Sequence, residues 1–142
     1  MTIPIVIVDD DTVDRYTAKR QLARHGGFEV PAEYTSGDAF LEAIDAGQLA
    51  TRSNPALVLM DIKMPGRNGF ETLEALDARL QETDATSPFM VVFMLTSSAN
   101  PRDRARVETI DIVQGYVEKP ITKDGVAFIH DLYLSTIPGS AA

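Results

Sequence analysis

Five times along the chain, an apolar run gives way to an amphipathic segment. The runs predict strands at Ile3–Val8, Phe28–Tyr34, Ala56–Met60, Phe89–Leu95 and Gly115–Val117. The segments after them carry apolar residues at helical spacing and predict helices at Asp14–His25, Asp38–Ala46, Phe70–Leu80, Arg102–Ile110 and Asp124–Ser135. Local punctuation agrees with these bounds. Gly26 and Gly47 follow the first two helices, where glycine relieves the C-terminal turn. Ser36 offers a hydroxyl to the free N–H groups at the start of the second. Pro101 stands at the start of the fourth, where its missing N–H costs least.

Strands alternating with helices imply a parallel sheet covered on both faces. The third and fourth runs are apolar throughout, as central strands require. The second carries Pro31 and alternates polar with apolar residues, which suits an edge. The expected fold class is therefore α/β: a flavodoxin-like, doubly wound (βα)5 architecture with a parallel five-stranded sheet in the order 2-1-3-4-5. Residues 1–142 read as one domain. Its core is expected at about 3–137, with Gln48–Asn54 as a surface connection and a frayed tail over Pro138–Ala142.

Ligands of such sheets bind beyond the C-terminal strand ends, where strands 1 and 3 are neighbours. The first run ends in Asp9, Asp10 and Asp11, the third in Asp61, the fourth in Thr96, Ser97 and Ser98, and the fifth in Glu118, Lys119 and Pro120. Like charges that close disfavour each other's ionised forms unless something positive lies among them. Oxygen ligands suit a hard divalent cation. Acids, a hydroxyl and an ammonium around one crevice suit cation-assisted phosphoryl transfer. A carboxylate is the nucleophile, the cation offsets phosphoryl charge, and the hydroxyl and ammonium hold the remaining oxygens.

Composition narrows the partners. A net charge of -8 argues against nucleic acid, which calls for a basic surface. The absence of cysteine excludes disulfides and thiolate metal sites. His25 and His130 lie far apart in sequence, show no ligand spacing and read as surface residues. No apolar run approaches the roughly 20 residues that cross a bilayer, and the N-terminus lacks the features of a signal peptide. The expected location is the cytoplasm, with no membrane partner.

Four segments lie in order at telling spacing: Ile-Val-Ile-Val-Asp-Asp, Leu-Val-Leu-Met-Asp-Ile-Lys-Met-Pro-Gly-Arg-Asn-Gly-Phe-Glu, Met-Leu-Thr-Ser-Ser and Gly-Tyr-Val-Glu-Lys-Pro. Together they resemble the receiver domain of the bacterial two-component response regulators over nearly the whole chain. The resemblance implies that Asp61 accepts a phosphoryl group from a sensor histidine kinase, a histidine phosphotransfer protein or a small phosphodonor. It implies Mg2+ (or Mn2+) held by Asp9, Asp10, Asp61 and the backbone carbonyl of Lys63. Thr96 would hydrogen-bond the phosphoryl group. Lys119 would pair with Asp61 before transfer and with the phosphoryl group after it, and the peptide before Pro120 is a candidate cis bond. Tyr116 would follow Thr96 as a switch, altering the face of the fourth helix, fifth strand and fifth helix, where an unknown protein effector would dock. The chain then reads as a stand-alone receiver, monomer or weak dimer. It would be a signalling protein rather than an enzyme, promoting only its own aspartyl phosphorylation and dephosphorylation. Its output would be phosphorylation-dependent protein binding or onward phosphotransfer.

Some residues stand outside that pattern. Asp11 reads as an acid at a helix N-terminus, favoured by the helix dipole. Arg102, Arg104 and Arg106 form either a solvated face or part of a docking surface. Asn68 stands where the family often has an acid. Lys63, two residues past Asp61, is expected to reach the phosphoryl group and hinder an incoming water. A competing class remains: Asp9-x-Asp11-x-Val13 resembles the first motif of haloacid-dehalogenase-like phosphatases, with Asp9 as nucleophile and Asp11 as acid/base. That reading leaves Asp61 and its Met64-Pro65…Gly69 turn unexplained, and the short stretch after Lys119 has no room for that family's fourth motif.

Overall fold

Strands and helices alternate along the computed structural model, which describes residues 2–47, 55–82, 90–97, 101–110 and 112–136. They are β1 (Ile5–Val8), α1 (Thr12–His25), β2 (Ala32–Tyr34), α2 (Gly37–Asp45), β3 (Ala56–Asp61), α3 (Gly69–Glu82), β4 (Met90–Thr96), α4 (Pro101–Glu108), β5 (Val113–Glu118) and α5 (Lys123–Thr136). The strands pair in parallel in the order β2-β1-β3-β4-β5, as the sequence implied.

Strand alternation sorts the apolar side chains onto two faces. Val6, Val8, Val58, Met60, Val92 and Met94 pack with Phe40, Leu73 and Leu76 of α2 and α3. Ile5, Ile7, Leu57, Leu59, Phe93 and Leu95 pack with Leu22 of α1 and Ile129 and Tyr133 of α5. Each such side chain contributes about 1.5–3 kcal/mol when fully buried, while exposed ion pairs add at most about 1 kcal/mol. The two apolar layers therefore hold the strand ends in place.

Several boundaries differ from the sequence expectation for visible reasons. Helix α1 begins at Thr12, before Asp14, because the Asp11 carboxylate caps it and accepts from the N–H groups of Val13 (2.8 Å) and Asp14 (3.0 Å). Strand β1 begins at Ile5, after Pro4, and Ile3 joins the sheet through an isolated bridge to Phe28. The same proline chemistry shortens β2 to Ala32–Tyr34, just past Pro31. Strand β5 is longer than expected, because Gln114 and Glu118 extend it with exposed polar residues. Ser36 caps α2 as expected, its hydroxyl accepting from Ala39 N–H at 3.0 Å. His25 and His130 are far apart in sequence but meet in space, with ring centroids 4.7 Å apart beside Phe28. His25 is exposed and His130 half-buried. Phe89, the Gln48–Asn54 connection, Ser98 and the Pro138–Ala142 tail lie outside the described residues. Among the described residues, no helix is long and apolar enough to cross a membrane.

Candidate active site

The acidic residues are fixed by backbone before they are fixed by each other. Asp9 follows β1 directly, its N–H donating to the Tyr34 carbonyl at 3.0 Å. The Arg15 guanidinium of α1 donates back to the Asp9 carbonyl at 2.8 Å, tying the first helical turn to the strand end. Asp9 Oδ1 accepts the Asp11 N–H at 2.9 Å. Asp61 is the last residue of β3, and the next N–H, of Ile62, donates across to the Leu95 carbonyl at 3.2 Å. The loop that follows turns through Gly66 (φ 74°) and closes with Gly69 N–H on the Ile62 carbonyl at 2.9 Å. A reciprocal capping box then starts α3: Glu71 N–H donates to Asn68 Oδ1 (2.8 Å), and Asn68 N–H donates to Glu71 Oε1 (2.9 Å).

Lys119 is drawn into the acid cluster from the far side. Its backbone N–H donates to the Thr96 carbonyl at 2.8 Å, and the Lys119–Pro120 peptide is cis. Its Nζ lies 2.7 Å from Asp9 Oδ2, 2.9 Å from Asp14 Oδ2 and 3.0 Å from Asp61 Oδ1. Two strand ends and one helix thus present carboxylates to a single ammonium. Thr96, the last residue of β4, is buried and shares a sheet face with Met94. Tyr116, paired with Met94 in register, packs half-buried against the same layer. The guanidinium of Arg104 lies 4.6 Å over its ring, and that arginine also reaches Glu118 at 3.7 Å.

Burial is the main cause that pushes the Asp61 carboxyl up to about 6, opposed by the Lys119 ammonium beside it and reinforced by the charges of Asp9 and Asp10. Burial works against the Lys119 charge, but the contacts with Asp9, Asp14 and Asp61 outweigh it and raise the lysine. At neutral pH the ammonium stays charged and Asp61 is mostly ionised.

The donor set fits a hard cation. Asp9, Asp10 and Asp61 each offer a carboxylate oxygen within 4.8 Å of the others. Asp9 Oδ2 is buried with no aligned hydrogen bond among the described residues, facing the Lys119 charge as an ion pair. A cation must displace the proton from Asp61. Apparent Mg2+ affinity, followed by calorimetry, should therefore fall about tenfold between about pH 7.5 and about pH 5. A flat profile would show that Asp61 is not among the ligands.

The structure brings Asp9, Asp10, Asp61, Lys119 and the Thr96 strand end together. Lys63 is exposed in the loop after β3, and Ser97 is exposed after β4. Asp11 spends its Oδ1 on the α1 cap, so it is poorly placed to serve as the acid/base of a phosphatase. Three contributors escaped the sequence reading. The Asn68-x-x-Glu71 box had a local signal. The Arg15 clip and the Asp14–Lys119 hydrogen bond had none, the latter joining residues 105 apart.

Comparison with known proteins agrees with this geometry. The sequence profile of the response regulator receiver domain matches residues 5–127. The chain belongs to the response regulator receiver family. PilH of Pseudomonas aeruginosa is 30% identical over 120 residues, covering 84% of this receiver and 88% of that protein. The transcriptional regulatory protein DegU of Brevibacillus brevis is 40% identical over 77 residues, 54% of this receiver but only 30% of DegU. This receiver therefore spans most of one relative and under a third of the other. The crystal structure of a two-component response regulator from Cytophaga hutchinsonii superposes with a TM-score of 0.77 at 29% identity, covering 95% of this receiver and 99% of that chain. Membership makes this a two-component signalling domain outside the usual enzyme families, with a histidine kinase or phosphotransfer protein as the implied partner and Mg2+ as the implied ion.

Proposed function

We propose that Asp61 is the phosphoacceptor and that its phosphorylation changes which proteins the receiver binds. The observation that carries this is a recessed, ionisable carboxylate at a strand end, 3.0 Å from an ammonium and grouped with two further acids. In this reading an Asp61 oxygen forms the new bond to phosphorus, and the donor's imidazole nitrogen leaves with the electron pair of the broken P–N bond. A Lys119 N–H follows the new charge onto a phosphoryl oxygen, and the Thr96 hydroxyl donates to another. Asp9, Asp10, Asp61 and the Lys63 carbonyl would hold Mg2+, which when bound offsets the charge of the phosphoryl group.

Phosphorylation adds about 1.5–2 negative charges at these strand ends. Thr96 and Tyr116 lie on one sheet face beside α4, so a shift of Thr96 toward the phosphoryl group vacates room for the tyrosine ring. Ring movement then costs the Arg104 stacking and favours a second arrangement of the α4–β5 surface, a population shift between two states. A cleft of about 540 Å³ beside the β3–α3 loop, with Lys63, Asn68, Asp103 and Arg106 on its rim, extends that surface toward the acceptor. Beryllofluoride with Mg2+ tests the reading: it should shift the amide resonances of Thr96 and Tyr116 in wild type and leave an Asp61→Asn variant unchanged. Equal response in both proteins would refute it.

Lys63 gives a further check. It is exposed on the rim of that cleft, two residues from the acceptor. A long cation there should hinder the water that hydrolyses the acyl phosphate. Lys63→Ala is expected to lose label several-fold faster than wild type in a chase experiment, and equal rates would remove Lys63 from the mechanism.

A further inference from the structure

We infer that Asp14 is a positioning residue for Lys119: it holds the ammonium toward α1 and competes with the phosphoryl group for it. The inference rests on Asp61 being the phosphoacceptor. Of the three carboxylates within ion-pair distance of Lys119, Asp14 is the one that receives an aligned hydrogen bond, at 2.9 Å. It belongs to neither of the site's other tasks. It lies outside the Asp9, Asp10 and Asp61 group that would hold a cation, and it is not the acceptor. Its backbone is fixed, because the Asp14 N–H donates to the capping carboxylate of Asp11 and the neighbouring Arg15 is tied to Asp9.

An ammonium has three N–H donors. Here three carboxylates surround it, and the Lys119 side chain is only 10% exposed, so water contributes little. A phosphoryl oxygen must therefore take a donor from a carboxylate. Asp61 loses its claim as its oxygen becomes esterified, and Asp9 has the cation as a second partner. Asp14 gains no substitute when the phosphoryl group arrives. Its charge keeps pulling the ammonium back toward the first turn of α1 and weakens the lysine's hold on the phosphorylated state. The contact joins β5 to α1 across the whole site, so phosphorylation also loosens this tie at the start of α1.

The test is Asp14→Asn, which keeps the shape and an acceptor oxygen but removes the charge. Beryllofluoride with Mg2+ should bind about 3–10-fold tighter than to wild type, because relieving the competition recovers only part of one charge-assisted hydrogen bond. The acyl phosphate should live longer by a similar factor. In a Lys119→Met background the same substitution should change affinity less than about twofold, since the two residues act as one unit. Unchanged or weaker binding in Asp14→Asn overturns the inference. So does an equal gain in the Lys119→Met background, which would mean that Asp14 acts through its field alone. If wild type binds no beryllofluoride, the phosphoacceptor reading itself fails. If wild type binds and Asp14→Asn binds no tighter, only the role of Asp14 fails.

Discussion

Asp61→Asn is expected to be more stable than wild type while losing all capacity for phosphorylation. Burial, by disfavouring the charge, raises the Asp61 carboxyl from its ordinary 3.8 to about 6 within the fold. An acid with a raised folded pKa favours folding while it is neutral and loses that contribution as pH rises through the folded value. At neutral pH, holding Asp61 ionised should therefore cost about 1–3 kcal/mol. Asparagine fills the same volume without a charge to desolvate or to repel Asp9 and Asp10. Urea denaturation at about pH 7.5 without Mg2+ should give a higher midpoint for the variant, and the gap should close toward about pH 4, where both side chains are neutral. Saturating Mg2+ should also narrow it, since the ion stabilises only the form that binds it. A variant less stable than wild type at neutral pH would mean that the Lys119 contact outweighs burial, the reverse of the stated balance.

The second large effect is expected at Gly69, which has no role in the chemistry. Residue 69 opens α3 where the loop after the acceptor folds back, and a Cβ there would collide with the Asp61 carbonyl oxygen. The next nearest atoms, Ile62 Cα at 3.0 Å and the Asp61 carbonyl carbon at 3.1 Å, are also backbone, so no side chain can rotate away. Gly69→Ala must therefore move the strand end that carries the acceptor. We expect a loss of about 3 kcal/mol or more together with a large drop in phosphorylation rate. Gly66→Ala is the informative contrast. Its positive φ makes a side chain strained, but nothing lies within 4 Å, so the cost should stay near about 1 kcal/mol. Thermal unfolding of the two variants side by side checks the order, and equal losses would show that close approach at Gly69 is unimportant.

Much of the site was legible because its chemistry sits where hydrophobic runs stop. Asp9, Asp61, Thr96 and Lys119 each follow an apolar or β-rich run, and a parallel sheet gathers those ends on one side. Pro31 marked the edge strand, which settled the sheet order. The less legible features depend on partners that the sequence does not place side by side. Asp14 looks like any acid in the first turn of a helix, and its meaning comes from the ammonium of Lys119, the residue after β5. Asp11 was recognisable as a helix acid, though its hydrogen bonds, rather than the dipole alone, explain why α1 starts at Thr12. The meeting of His25 with His130 follows from the packing of α1 against α5, which no local pattern encodes.

The carboxylate that carries the phosphoryl group can be identified directly. The chain should be incubated with acetyl phosphate and Mg2+, the acyl phosphate trapped by borohydride reduction, and the reduced residue located by peptide mass spectrometry. A receiver of the kind described here carries the modification on Asp61. Modification of Asp9, with Asp61 intact, would contradict it and favour the phosphatase-like arrangement.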